Sequence, residues 1–76
     1  MPSRTASPQR LFGAAVRAER LRQKLSQEEL AHRSGISTAF MSHVERGTKA
    51  ISIETIMKVA SGLRVKAGEL FVKADL

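Results

Sequence analysis

The sequence predicts an all-α domain built from five short helices. Serine residues stand at capping positions before apolar segments, and glycines follow several of those segments. The apolar residues between these signals recur at intervals of three and four, which is the spacing of a buried helix face. No stretch alternates in the manner of a β-strand, and no internal repeat is present. A chain of 76 residues is long enough for one domain with a small core.

The first helix is predicted from about Pro8 to Gln23. Ser7 can cap this helix, and proline suits the first helical position. Phe12, Val16 and Leu21 are expected on the side of the helix that faces the core.

The second helix is predicted from about Gln27 to Arg33, and it has the clearest start signal in the chain. Ser26 and Glu29 have the spacing of a capping box. Gly35 is placed to end the helix in the left-handed conformation that glycine adopts easily.

A third helix is predicted over about Thr38–Arg46, capped by Ser37 and ended by Gly47. Only residues 34–37 connect it to the second helix. A turn this short forces the two helices to cross at a steep angle, which is the geometry of a helix-turn-helix motif.

A fourth helix is predicted over about Ile53–Gly62, capped by Ser52, with Ile53 on its apolar side and Met57 as core filler. A fifth helix is expected in the segment KAGELF, residues 66–71. The apolar residues at this end of the chain exceed what the fourth helix can bury alone. They are expected to form the interface of a homodimer: Leu63, Val65, Leu70, Phe71 and Val72.

The chain is strongly basic, with 13 Lys+Arg against 7 Asp+Glu and a net charge of +6. Residues 1–24 contain a single acidic residue, Glu19, among arginines and a lysine. This distribution favours a surface that binds a polyanion, although a solvated helix face explains many such segments. Residues 1–6 are expected to form a flexible arm, and residues 7–76 the domain.

Several classes of protein are disfavoured by composition. The chain has no cysteine, no signal-peptide pattern and no apolar run of ~20 residues, which favours a cytoplasmic protein outside any membrane. Its two histidines do not have the spacing of a metal site. No nucleophile, acid–base pair or glycine-rich phosphate loop is evident, so neither an enzyme nor a bound cofactor is expected.

The outward side of the third helix is the candidate recognition surface. Met41 and Val44 have core spacing and are expected to face inward. A helix that presents small or hydrogen-bonding side chains in its first turns can enter a DNA major groove. Long lysines would meet phosphates without distinguishing one base pair from another. The predicted outward residues are Thr38, Ala39, Ser42 and His43.

The segment LSQEELAHRSGISTAFMSHVERG, followed by SIETIMKVASGLRV and ELF, resembles the Cro/phage-repressor (XRE-like) helix-turn-helix DNA-binding family. Within that family, the compact size resembles the restriction–modification controller proteins. The resemblance covers about residues 11–71. It implies a phage-repressor-like five-helix domain in a bacterial or phage-encoded, nucleoid-associated transcriptional regulator. Such a regulator binds double-stranded DNA as a homodimer on an inverted-repeat operator, with the third helix in the major groove.

The resemblance also implies roles for individual residues. His43 is expected to bond guanine N7 or O6, and Ala39 to touch a thymine methyl group. Arg20 and Glu45 match a structural ion pair that links the first helix to the third through two parallel bonds. The implied base contacts are Thr38, Ala39, Phe40, Ser42 and His43. The implied phosphate contacts are Gln27, Arg46, Thr48, Lys49, Arg17 and Arg33.

The sequence departs from the family pattern at two places. Lys24 stands where relatives often have glycine, which predicts a strained turn after the first helix. Thr38 and Ala39 stand where phage repressors often have glutamine. Few bidentate base contacts are then available, so deformability of the operator is expected to supply part of the specificity.

Two questions about function stay open at this point. A regulator of this kind represses by blocking RNA polymerase or activates by touching it, so polymerase is a candidate partner. With no separate ligand domain, no small-molecule effector is expected. The alternative is an antitoxin or adaptor-type protein-interaction module on the same scaffold that binds DNA weakly; a steep dependence of DNA affinity on salt would favour the regulator.

Overall fold

The computed structural model describes residues 6–76, which form five α-helices and no strand. The predicted arm over residues 1–6 lies outside this part of the chain except for Ala6. The observed bounds agree with the predicted ones to within one or two residues. The helices are α1 (Pro8–Arg22), α2 (Gln27–Ser34), α3 (Thr38–Arg46), α4 (Ile53–Leu63) and α5 (Ala67–Lys73).

The predicted serine caps are all formed. Ser7, Ser26, Ser37 and Ser52 each accept a hydrogen bond from the backbone N–H three residues later, at 2.9–3.1 Å. The capping box is complete, because the Ser26 backbone N–H donates to Glu29 Oε1 at 2.7 Å. Each cap of this kind stabilises its helix by about 1 kcal/mol.

Several helices end at a residue in the left-handed backbone conformation, and the sequence predicted two of these ends. Gly35 and Gly47 have φ of 71° and 67° at the ends of α2 and α3. Lys24, after α1, has φ of 59°, so the turn there is strained as expected. Arg64 ends α4 in the same conformation with φ of 58°, which the sequence did not reveal.

The core lies where α1, α2, α3 and α4 meet, with α5 closing one end against α1 and α4. The α2 helix packs mainly on α4, and α1 mainly on α3. The rings of Phe12 and Phe71 lie 5.4 Å apart, which joins α5 to α1. The largest fully buried side chains are Val16, Leu30, Met41, Val44, Val59, Leu63 and Leu70.

Three residues predicted to face the core are exposed. Leu21 is 49% exposed because it lies about two and a half turns after Phe12, on the opposite side of α1. Ile53 and Met57 are 77% and 57% exposed. They share one face of α4, and the buried Val59 lies on the other.

The predicted dimer interface needs a correction. Leu63 and Leu70 are fully buried within a single chain, because α5 folds back onto α1 and α4 and covers both. They belong to the core and are unavailable to a second chain. Val65 and Phe71 are half-buried, and Val72 is 79% exposed.

Candidate nucleic-acid interface

The first turn of α3 is exposed, while the opposite side of the helix is anchored in the core. Met41 and Val44 are buried as predicted. Thr38 and Ala39 are exposed, so residues 6–76 leave the start of the helix uncovered. The other outward residues, Ser42 and His43, are half-buried one turn later, as is Phe40, which packs against the core.

A buried ion pair ties α3 to α1. Arg20 Nε donates to Glu45 Oε2 at 2.7 Å, and Arg20 Nη2 donates to Glu45 Oε1 at 3.1 Å. The third guanidinium nitrogen, Nη1, donates to the Leu25 carbonyl at 2.8 Å. The pair expected from the family resemblance is therefore present in its two-bond form. Because the carboxylate and the guanidinium satisfy each other, both can lie in the interior.

Gln27 joins the same network. Its side-chain Nε2 donates to Glu45 Oε1 at 3.1 Å, so that one oxygen accepts from both Gln27 and Arg20. The Gln27 amide has a second N–H and a carbonyl oxygen that this bond does not use. A side chain expected to contact phosphate is thus bonded to Glu45 of α3, a contact that sequence spacing did not reveal.

His43 is hydrogen-bonded to another predicted contact residue. Its Nδ1 lies 2.7 Å from Thr48 Oγ1, and the Thr48 backbone N–H donates to the His43 carbonyl at 3.1 Å. Desolvation, followed by the positive charges of Lys49 and Arg46, lowers the pKa of His43 below its ordinary value of 6.5. This shift favours the uncharged imidazole, and its Nε2 is the nitrogen left for another partner.

The remaining predicted phosphate contacts are exposed cations. Arg46 and Lys49 lie at the end of α3 and in the loop after it, and Arg46 Nε donates to the Ser42 carbonyl at 3.3 Å. Arg17 and Arg33 are exposed on α1 and α2. Within residues 6–76, none of these four cations forms an ion pair, so their charges remain available to an anion.

Sequence reasoning missed a second polar centre, at buried Glu19. This carboxylate accepts from Arg22 Nη2 at 2.6 Å, from Gln23 Nε2 at 2.8 Å and from Lys73 Nζ at 2.8 Å. These hydrogen bonds, first that of Arg22, hold the pKa of Glu19 well below its ordinary range. The position of Glu19, three residues after Val16, was the available signal, since it places the carboxylate on the buried side of α1.

Other kinds of site find no support in the part of the chain described. Within residues 6–76, no group of three or more histidine, cysteine, aspartate or glutamate side chains is arranged to hold a metal ion. None of the five helices is long and apolar enough to cross a bilayer.

Comparison with known proteins identifies the scaffold. A helix-turn-helix family model matches residues 16–70. The control protein C.BamHI of Bacillus amyloliquefaciens is 38% identical over 61 residues, covering 79% of this chain and 75% of its own. An uncharacterized HTH-type transcriptional regulator of Mycobacterium tuberculosis is 38% identical over 64 residues, 84% of this chain. The chain spans only 46% of that regulator's length.

Two solved structures have the same arrangement of helices. The clp gene regulator ClgR from Corynebacterium glutamicum superposes with a TM-score of 0.88 at 28% identity, over 92% of this chain and 74% of that one. The restriction–modification controller protein C.AhdI from Aeromonas hydrophila superposes with a TM-score of 0.79 at 39% identity, over 82% and 94% of the two chains. The short α2–α3 connection over residues 35–37, the buried pair behind it and these likenesses agree, and the chain belongs to the helix-turn-helix family.

Proposed function

We propose that this protein is a sequence-specific, non-enzymatic DNA-binding transcriptional regulator that places α3 in the major groove. One observation carries the proposal: the first turn of α3 is exposed while Met41, Val44 and the Arg20–Glu45 pair fix its other side. A recognition helix needs this combination of an open face and a rigid back. The relatives described as transcriptional regulators and control proteins support the same function.

Base and phosphate contacts divide between the helix and its surroundings. Thr38, Ala39, Ser42 and His43 face base edges, and Phe40 lies beside them. The phosphate contacts are Gln27, Arg46, Thr48, Lys49, Arg17 and Arg33. The four cations of this set, Arg17, Arg33, Arg46 and Lys49, are exposed. Their exposure supports a phosphate-binding role, because neutralising phosphates supplies most of the sequence-independent affinity for DNA.

The proposed DNA-binding form is a homodimer on an inverted repeat. One domain covers one half-site, and two recognition helices about 34 Å apart would meet successive major grooves on one side of the duplex. Exposed apolar side chains on α4 and α5 support a second copy of the chain as the partner. The exposed ones are Val72, which was predicted, together with Ile53 and Met57. The predicted residues Val65, between the two helices, and Phe71 are half-buried and can contribute only their open edges.

Selection of bound DNA from a random pool tests the function. An enriched inverted repeat with half-sites about one helical turn apart is expected. His43→Ala should change the enriched sequence at one position in each half-site, whereas His32→Ala, at an exposed site on α2, should leave it unchanged. A pool without enrichment, combined with affinity for random DNA that is indifferent to salt, would reject the regulator and favour the adaptor-type module.

Sedimentation velocity over a range of concentrations tests the dimer. Val72→Glu and Met57→Glu place charges on exposed side chains and are expected to shift the protein towards monomer without unfolding it. Leu21→Glu alters an exposed apolar residue on α1 and is the matched control. A wild-type protein that stays monomeric at high concentration, with and without DNA, would remove the homodimer from the proposal.

A further inference from the structure

We propose that Thr48 sets the hydrogen-bonding direction of the His43 ring, so that His43 recognises an amino group of cytosine or adenine in the major groove. This inference rests on the proposed function, since it specifies what the recognition helix detects. The sequence led us to expect that His43 donates a hydrogen bond to guanine. The inference reverses the direction: His43 accepts a hydrogen bond from the base. Thr48 is therefore a positioning residue for His43 as well as a contact to the DNA backbone.

The backbone at the end of α3 holds the two side chains together. Gly47 adopts the left-handed conformation, its N–H donates to the Val44 carbonyl at 3.2 Å, and the Thr48 N–H donates to the His43 carbonyl at 3.1 Å. This pair of backbone hydrogen bonds forms a Schellman turn, which brings residue 48 back over residue 43. The resulting 2.7 Å contact between Thr48 Oγ1 and His43 Nδ1 is built into the helix end.

The contact leaves two hydrogen arrangements. If the Thr48 hydroxyl donates to Nδ1, the ring proton lies on Nε2, which then donates to an acceptor such as guanine O6 or N7. If Nδ1–H donates to Thr48, Nε2 has a free lone pair and accepts from cytosine N4 or adenine N6. The direction of one hydroxyl hydrogen thus decides which base edge His43 matches.

Two acceptors draw the Thr48 hydroxyl hydrogen away from the ring. The His43 carbonyl lies 3.5 Å from Thr48 Oγ1, a long and weak contact within the protein. On DNA, a phosphate oxygen at Thr48 is the stronger acceptor, because it is charged and has no hydrogen to donate. With its own hydrogen given to phosphate, Thr48 Oγ1 accepts from Nδ1–H, and Nε2 faces the base as an acceptor.

The surroundings of the ring favour its neutral form, which this arrangement needs. Desolvation lowers the pKa of His43 most, and the charges of Lys49, in the following loop, and Arg46, on α3, lower it further. On the side of α1, Arg10 lies against Gly47, so the neighbouring element also brings a cation. Protonation at low pH would add a hydrogen to Nε2 and remove the acceptor.

Selection from a random pool at pH about 7.5 tests the base preference, using wild type, Thr48→Ser, Thr48→Val and His43→Ala. Wild type and Thr48→Ser are expected to favour one base pair at one position per half-site by about tenfold. They should lose that preference when the cytosine or adenine of the pair is replaced by an analogue without the exocyclic amino group. Thr48→Val, which removes the hydroxyl and keeps the shape, should lose the dependence on that amino group. His43→Ala should show no preference there, and the preference of wild type should fall at pH about 5.5.

Nitrogen-15 NMR of the operator-bound protein measures the ring directly. The wild-type His43 is expected to carry its proton on Nδ1 and to retain this tautomer in Thr48→Ser but not in Thr48→Val, with His32 as the internal reference. A wild-type preference at neutral pH that survives removal of the amino group, a proton on Nε2, or the same dependence on the amino group in Thr48→Val would overturn the inference alone. Failure to enrich any DNA would instead reject the proposed function.

Discussion

Gly13 on α1 and Val44 on α3 lie so close together that no β-carbon fits between them. A methyl group at position 13 would overlap the Val44 carbonyl and lie 2.6 Å from the carbonyl oxygen of Glu45. The backbone of α3 therefore rests directly on α1, about two turns before the Glu19 and Arg20 side chains. This contact sets how closely α3 sits on α1, and the Arg20–Glu45 pair links the two helices at the same interface.

Gly13→Ala is expected to destabilise the protein by about 1–3 kcal/mol, because two helix backbones must move apart. The small gain in helix propensity from alanine does not offset that shift. Urea unfolding measures the change. Gly68→Ala in α5 is the matched control: a β-carbon there meets nothing within 4 Å, so it should stabilise the protein by about 0.5–1 kcal/mol. Equal effects of the same sign would show that packing at Gly13 is loose.

Glu45→Ala is expected to lower the free energy of unfolding by about 3 kcal/mol or more, since it leaves the buried Arg20 guanidinium without its partner. It also removes the acceptor of Gln27, so operator affinity of the folded fraction should fall. Unfolding in urea and DNA titration of the folded protein measure the two effects separately. Glu28→Ala, at an exposed site on α2, should change stability by less than about 1 kcal/mol. Unchanged fold and affinity in Glu45→Ala would remove the pair's orienting role.

Glu19 is expected to make the protein sensitive to acid. Its folded-state pKa lies below the ordinary value of 4.5, so its stabilising contribution is complete above that pH. The contribution is lost as the pH falls from 4.5 towards the folded-state pKa, because the unfolded chain then binds the proton more tightly. Glu19→Gln should be less stable at neutral pH and should lose less stability in acid.

Urea unfolding at a series of pH values measures this dependence. Lys73→Met removes one donor to Glu19, which raises the folded-state pKa of Glu19; the acid loss of stability is expected to become smaller and to be complete at a higher pH. Lys58→Met, at an exposed lysine of α4, is the matched control and should leave the pH profile in place. Parallel profiles for wild type and Glu19→Gln would contradict the prediction.

Lys24→Gly is expected to stabilise the protein by up to about 1 kcal/mol. The left-handed conformation of Lys24 costs a non-glycine residue about 1–2 kcal/mol, and the greater freedom of glycine in the unfolded chain offsets part of the gain. Thermal unfolding measures the change. Lys58→Gly removes the same charge from the interior of α4 and should destabilise by about 1 kcal/mol. A loss of stability in both variants would show that the turn is not strained.

The helices were predictable because their signals act within one turn of chain. A serine hydroxyl reaches the N–H three residues later, and a glycine relieves the left-handed strain at its own position, so neither depends on the rest of the fold. The Arg20–Glu45 pair was predictable for a different reason, namely its match to a family pattern, since 25 residues separate the partners.

The errors all concern which side of a helix is covered. Met57 and Leu70 are similar in hydrophobicity, yet one is exposed and the other fully buried. Apolar spacing shows that a helix has an apolar side, but the packing of its neighbours decides how far that side extends. The Glu19 centre was missed for the same reason, because Lys73 reaches it only when α5 folds back onto α1.

The sequence by itself determined five helices, their caps and the short turn that connects α2 to α3. Local hydrogen bonds and backbone preferences are sufficient for these features. Only the tertiary structure decided how closely α3 sits on α1, which charges are buried and which apolar residues remain open to a partner. Those properties depend on contacts between segments far apart in the chain, whose geometry follows from the packing of whole helices.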